Sequence, residues 1–519
     1  MNKKWIISLV LVSISIFLYS QYNFNADIQQ ELCIIETKHD YDMNPHTSNY
    51  AHESQLLNAL YEGLFTYDAL TLDPLPGIAE TYEVSLDQKR WIFSIRSDAK
   101  FSNGERITAY DVRDSLIAVL NPALEAPFAS LIDCIAGAAD YRLGKGRVED
   151  VKIQAKNKTV LIVELTAPTE YLPKILCHHA FSVVSGEDSV YSGAYILETY
   201  DDDEILLKKN MNYYDFQNVA IPSIRITLSD DYDENAYAFN MGLSQWVTGG
   251  VSIDDIYDVD SLYIAPQFST EFFFFKSIEA PWDNANLRNA VINALPLEEL
   301  RMSFYPASTL VLPIGTYPSV IGVVEQDVEH ACDLMEAAGY EVIVNEDGSV
   351  EPTGLSLTYG LTDTDYDKER ALLIAENLAQ IGITVVFQTT PLERYLASIS
   401  DWDVNLLSYT WAGDFADPLT FLELFRTGSS LKESDWSDAK YDQLLNDASV
   451  IEDSKLRYEK LAEAEQYLMD SGVVIPLTYP ISFDVVDSSI LSGWFPNALD
   501  IHPFKDIFFI ETELSTDFI

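Results

Sequence analysis

The residues with the clearest chemical potential lie in one ten-residue run, Tyr409-Thr410-Trp411-Ala412-Gly413-Asp414-Phe415-Ala416-Asp417-Pro418. The alternation of Trp402-Asp403-Val404-Asn405-Leu406-Leu407 predicts a strand before it, and Leu419 to Phe425 predicts the start of a helix after it. A glycine, two carboxylates and a proline between these elements make a sharp turn with acid at its tip. A carboxylate held there can pair with a cation in a cleft, and the neighbouring aromatics lower the local dielectric. On a plain surface loop the same turn would carry only a solvated carboxylate.

A hydrolytic pair is the enzymatic reading of Asp414 and Asp417. Glycoside hydrolysis needs carboxyl groups on opposite sides of one scissile bond, which two side chains of a single turn seldom achieve. The chain has no G-x-S-x-G, H-E-x-x-H or Walker loop, and Gly242, Gly249 and Gly250 do not space as a dinucleotide fingerprint. No catalysis and no cofactor are expected. His178 and His179 are adjacent, so in a helix their side chains point about 100° apart, which predicts a packed or surface pair and no shared metal. Cys33, Cys134, Cys177 and Cys332 are widely spaced and read as buried thiols, with Cys134 to Cys177 as the one candidate disulfide.

The remaining composition narrows the partners. The 82 acidic residues against 32 basic ones give a net charge of -50. A phosphate backbone demands a basic footprint, so nucleic acid is excluded as a partner. A hydrophobic content of 48% argues against disorder, and 519 residues suffice for two or three cores. The acid is spread along the chain, as expected of a solvated surface. At the start, Met1-Asn2-Lys3-Lys4 precedes an apolar run from Trp5 to Tyr19, shorter than the roughly twenty residues of a membrane span. Residues 1–26 therefore read as an export signal. Since no small-x-small cleavage site is present, an uncleaved anchor stays open as the alternative.

The elements that must position the turn can be followed in order. Glu31 to Glu36 predicts a first strand, and Glu53 to Tyr61 a helix whose apolar face carries Leu56, Leu57 and Leu60. Trp91 to Arg96 alternates as a strand. Asn103-Gly104 signals a tight turn, and Thr108 caps a helix through Val112, Leu116 and Val119, with Asp111 serving its first turn. Val151 to Pro168 reads as a hairpin around Asn157-Lys158. Glu271-Phe272-Phe273-Phe274-Phe275 is aromatic on both faces, as a strand through a core or lobe junction would be. Beyond it, strands alternate with helices at Gln326 to Ala338, Lys368 to Gln380 and Ser454 to Leu468, which predicts a mainly parallel sheet.

Five motifs now stand in order: "LYEGL", "PLPGIAE", "W.FSIRSDAKFSNGERITAYDV", "SGAYIL" and "LLKKNMNYYD". Together they resemble the bacterial extracellular solute-binding proteins of family 5, the peptide/nickel type, over nearly everything from Glu31 to Ile510. The resemblance implies an α/β periplasmic-binding-protein-like two-lobed fold of type II, with an extra domain inserted in the first lobe. By it, residues 27–63, 188–270 and 485–519 form lobe I, 64–187 the additional domain, and 271–484 lobe II. It also implies the function of an ABC importer's binding component. Such a protein captures oligopeptides between its lobes and delivers them to an inner-membrane permease, as a periplasmic or extracytoplasmic monomer.

By the same likeness Asp414 meets the ligand's free amino group, and Thr410, Trp411 and Ala412 supply the second-lobe edge. His52, Glu53 and Ser54 fall in the first-lobe segment touching the peptide, and Phe128 matches an aromatic at the cleft. "NLLSYTW" offers no basic residue for a peptide's carboxylate. A receptor for an oligosaccharide, a metal complex or haem, and a ligand-sensing receptor, remain the alternatives to peptide capture.

Overall fold

Three sheets organise the molecule, and the way the chain passes between them positions its cleft. The computed structural model describes residues 31–48, 52–276, 278–313, 316–399, 401–413, 415–451 and 453–510, so the expected export signal lies outside the described residues. Among them no helix is long and apolar enough to cross a membrane.

The first sheet has seven strands in the order Leu262–Pro266, Ile481–Val486, Trp246–Thr248, Glu31–Glu36, Ser223–Leu228, Glu204–Lys209, Tyr195–Tyr200. Its middle strand, Glu31–Glu36, runs parallel to both neighbours. Leu32 and Ile34 enter the apolar cluster on one face, and Ile35 the cluster on the other. A strand buried on both faces must be apolar throughout, as this one is at 32–35.

The second sheet is antiparallel, in the order Ala79–Val84, Arg90–Ile95, Val160–Glu164, Ile153–Asn157. Trp91, Phe93 and Ile95 alternate inward as predicted. The helix Ala109–Val119 closes that core, and Thr108 and Asp111 form a reciprocal capping box at its start.

The third sheet has the order Thr384–Thr390, Ser356–Thr362, Leu406–Ala412, Ser269–Phe275, Val474–Thr478. Its first three strands are parallel, but Ser269–Phe275 is antiparallel to both of its neighbours. The expected mainly parallel sheet is thus a mixed one. Ser269–Phe275 carries the chain out of the first sheet and Val474–Thr478 carries it back, so the two must run in opposite directions. The aromatic strand is buried on both faces: Phe272 and Phe274 enter one cluster, Phe273 and Phe275 the other.

The two crossings lie side by side. Leu262–Pro266 pairs antiparallel with Ile481–Val486 in the first sheet, and Ser269–Phe275 with Val474–Thr478 in the third. Between them the Gln267 N–H donates to the Pro480 carbonyl at 2.8 Å. The connection is a continuous two-stranded ribbon.

The motifs that carry the family resemblance converge where the first and second sheets meet. Glu62, buried, accepts from the hydroxyls of Tyr213 and Tyr214, each at 2.5 Å, and lies 3.4 Å from the Lys505 ammonium. Arg96 donates to the Gly77 carbonyl at 2.6 Å and covers the Tyr214 ring at 4.4 Å. At Gly193 a Cβ would stand 2.4 Å from the Ala59 carbonyl oxygen, so only glycine lets that loop approach the end of helix Glu53–Leu60. All four cysteines are unpaired, which corrects the candidate Cys134–Cys177 bridge. The buried Cys177 thiol instead donates to the Thr66 and Pro173 carbonyls.

Candidate functional site

Strands of an open α/β sheet present ligand sites at their carboxyl ends. Leu406–Ala412 ends at a cavity of about 300 Å³ between the first and third sheets. Ala412 and Gly413 form one wall, and Glu36, Trp246 and Thr248 from strand ends of the first sheet form another. His52 and Gln55 close it from the helix Glu53–Leu60, Gln267 and Phe268 from the crossing ribbon, and Ala498 to Asp500 from the C-terminal segment. Gly413 donates its N–H to the Phe268 carbonyl at 2.7 Å, and a Cβ there would lie 2.5 Å from the Phe268 ring. The glycine of the turn is therefore needed for the close approach of the two walls.

The other expected site residues divide. Asp414 lies outside the described residues. Ala412 and His52 line the cavity, and Thr410 is exposed beside it on the same strand. Trp411 is buried, 6.1 Å from the Tyr409 ring and 6.4 Å from Phe128, so Trp411 and Phe128 pack against each other where the third sheet meets the 128–132 turn. Glu53 is fully buried. Its carboxylate accepts from the Asp42 N–H at 2.6 Å and from the Ser48 hydroxyl, which ties down the 42–48 loop, and Ser54 is buried next to it.

Asp417 is withdrawn from the cleft. It is 1% exposed, accepts from the Leu419 N–H at 3.1 Å and forms a two-point pair with Arg457 at 2.6 and 2.9 Å. The Arg457 guanidinium lies 4.1 Å above the Tyr171 ring. A carboxylate committed in this way is not available as half of a hydrolytic pair with Asp414.

Of the two expectations, packed or surface, the structure has His178 and His179 buried and packed together, in a geometry other than a helix. The backbone is extended at His178, so the two rings lie 4.1 Å apart instead of diverging as on a helix. Burial holds the His179 imidazole neutral, with its pKa pushed down to about 3, and shifts His178 the same way.

The acidic floor of the cavity escaped the sequence reading. Glu36 is buried and accepts from the Tyr41 hydroxyl. Asp484, one layer behind, accepts from the Trp246 indole at 2.8 Å. Asp500 holds a backbone φ of 56°, uncommon for a residue with a side chain, and its two oxygens meet His502 Nε2 and Gln267 Nε2, each at 3.2 Å. Burial pushes Glu36 up to about 7, with the charges of Asp484 and Asp500 adding to it; burial and then the Asp500 charge push Asp484 to about 7 as well. Asp484, Asp500 and His502 bring ligand-capable atoms within 4.8 Å of one another. Yet His502 Nδ1 faces the Asn497 amide nitrogen at 3.4 Å, and the Asn497 oxygen is already used by the Leu499 and Ile501 N–H groups. Through Nε2 the same ring meets Asp500 and orients its carboxylate. Hundreds of positions separate Glu36 from Asp484, Asp500 and His502, so only the fold brings them together.

Segments flanking the second sheet reach residues 416–430. Ser430 Oγ donates to the Pro127 carbonyl at 2.6 Å and accepts from the Ser130 N–H at 3.2 Å. Arg142 donates to the Gly428 carbonyl at 3.0 Å, and Lys174 to that of Ala416 at 3.1 Å. These contacts join the segments around the second sheet to the 416–430 stretch.

Comparison with known proteins agrees with this architecture. The sequence profile of bacterial extracellular solute-binding proteins, family 5 Middle, matches residues 73–433. The chain belongs to this family of two-lobed binding proteins. It is 28% identical to the dipeptide-binding protein DppE of Bacillus subtilis over 462 residues, 82% of each chain. Among solved structures, Haemophilus influenzae OppA in complex with the peptide RPPGFSPFR superposes with a TM-score of 0.77 at 21% identity, covering 93% of this chain and 99% of that one. The murein tripeptide-binding protein MppA of Escherichia coli gives 0.79 at 20% identity, covering 93% and 99%. Its unliganded open form gives 0.67 over 93% and 98%.

Proposed function

We propose that this protein is the substrate-binding component of an ABC importer, capturing oligopeptides between its lobes and delivering them to a membrane permease. It works outside the cytoplasmic membrane as a monomer and performs no catalysis. The first sheet with its flanking segments acts as lobe I, the 79–164 sheet with its helix as the additional domain, and the third sheet as lobe II. The observation that carries this reading is the cavity built jointly by both lobes at the carboxyl end of Leu406–Ala412. The peptide-binding relatives supply the ligand class. Mass spectrometry of small molecules released by denaturing freshly purified protein tests it: peptides are expected, and a sugar, haem or metal chelate in their place would overturn it.

In this reading Asp414 pairs with the ligand's α-ammonium. Closing a cleft on an ammonium desolvates it, and removing the carboxylate that meets it costs about 2 to 5 kcal/mol. Asp414→Ala should therefore weaken binding roughly 30-fold to several-thousand-fold. Nα-acetylation of the peptide should harm the wild type strongly and the variant little. Calorimetry on both proteins with the free and acetylated peptide checks this, and additive losses would show that the two groups do not meet.

A further inference from the structure

We propose that the 300 Å³ cavity is a subsite for a positively charged ligand side chain, with Glu36 and Asp500 as its anchors and Asp484 behind them. The inference rests on the peptide-binding reading and adds a specificity to it. At this volume, the low end for ligand pockets, the cavity suits one side chain and not a whole oligopeptide. It adjoins Gly413, next in sequence to the residue assigned to the ligand's α-ammonium, so the first side chain of the peptide is the one placed to enter.

The lining chemistry selects charge. Glu36 and Asp500 are carboxylates, and neither lysine nor arginine is among the lining residues. Asp500 is not a loose surface acid: His502 and Gln267 each hold one of its oxygens, and His502 is itself stacked on Trp494 at 4.5 Å. Glu36 is fixed by Tyr41, and Asp484 by Trp246. The side walls are aromatic, from Trp246 and Phe268, and amide, from Gln55 and Gln267. An ammonium or guanidinium entering here meets carboxylates and ring faces in a site shielded from water, where charge-assisted hydrogen bonds and cation–π contacts gain strength. An acidic side chain would meet repulsion, and a neutral one would leave the carboxylates unpaired. A cation also relieves the mutual repulsion that helps drive Glu36 towards its neutral form.

The test is calorimetry with alanine pentapeptides carrying lysine, norleucine or glutamate at the first position, and one carrying lysine at the third. The lysine-first peptide should bind the wild type at least about ten-fold more tightly than the norleucine peptide, with glutamate weakest. Glu36→Gln and Asp500→Asn should each reduce that lysine preference to within about three-fold, by weakening the lysine peptide and relieving the norleucine peptide of an unpaired carboxylate. Asparagine tolerates the left-handed backbone at 500, and thermal unfolding of each variant verifies its fold. If norleucine and lysine bind the wild type alike, or if the variants weaken both equally, the subsite is overturned while peptide binding stands. Equal gain from lysine at the third position overturns its assignment to the first residue. Failure of every peptide to bind removes the peptide reading and this inference with it.

Discussion

Glu465 shows what a single buried carboxylate does to stability. It is fully buried on helix Ser454–Asp470 and accepts from the Val311 N–H at 2.9 Å and the Tyr317 hydroxyl at 2.8 Å. Burial nevertheless raises its pKa from 4.5 to about 7. Below the lower value the group is protonated in both folded and unfolded chains. As pH rises towards 7 the unfolded chain releases its proton first, so stability falls, by about 3 kcal/mol in all, and then levels off. Glu465→Gln should remove this contribution: the variant should melt higher than the wild type at pH 8 and draw level with it near pH 4.5. Scanning calorimetry at several pH values checks this, and a Tm difference that does not change with pH would refute it. At this scale the sequence was informative about turns and caps, as at Thr108 and Asp111, because those residues act on their own neighbours. It was silent about Glu465, Glu36 and Asp500, whose surroundings are completed by segments distant in the chain.

At the scale of elements, the segment after the cleft turn depends on one ion pair. Asp417 caps the short helix Leu419–Leu422 through the Leu419 N–H and joins it to helix Ser454–Asp470 through Arg457. Asp417→Ala strands a guanidinium in the interior, where breaking such a pair costs about 3 to 5 kcal/mol. A second substitution, Arg457→Met, should recover much of the loss, since an apolar side chain of similar length leaves no buried charge. Urea unfolding of both variants reads the difference; a double variant no better than Asp417→Ala would mean that the cap or the packing, not the charge, carries the effect. Helices and strands were legible from period alone, down to Glu31–Glu36 and the capped helix at 109. Strand direction in the third sheet was not, because it follows from where the chain enters and leaves the lobe. Glu53 was misleading for a related reason: a polar residue at a helix start looks like a solvated or ligand-facing group until the 42–48 loop is seen folded over it.

For the whole molecule, closure is the measurable event. Two crossings joined as one ribbon permit bending of lobe against lobe, and the Ser130–Ser430 and Arg142–Gly428 contacts are the ones an opening motion would break. Small-angle scattering should show the ligand-free protein expand relative to the peptide-bound one, and Ser430→Ala together with Arg142→Ala should shift the free protein further towards the open form. Identical profiles with and without ligand would contradict a hinge. The family was readable at this scale because its motifs build the junction around Glu62, where packing leaves few substitutes. The lining of the cavity was not, since its walls come from six separate stretches of chain.

The seven-stranded sheet has one further consequence, for the order of assembly. Ile481–Val486 is inserted between Leu262–Pro266 and Trp246–Thr248, so a strand from near the C-terminus completes a sheet begun at residue 31. Until that strand emerges, Leu262–Pro266 has no partner linking it to the rest of the sheet. Contacts spanning most of the chain make such a sheet slow to form. A nascent or partly translocated chain can mature its 79–164 sheet early, but it exposes unpaired strand edges in the first sheet until almost all of its length is present.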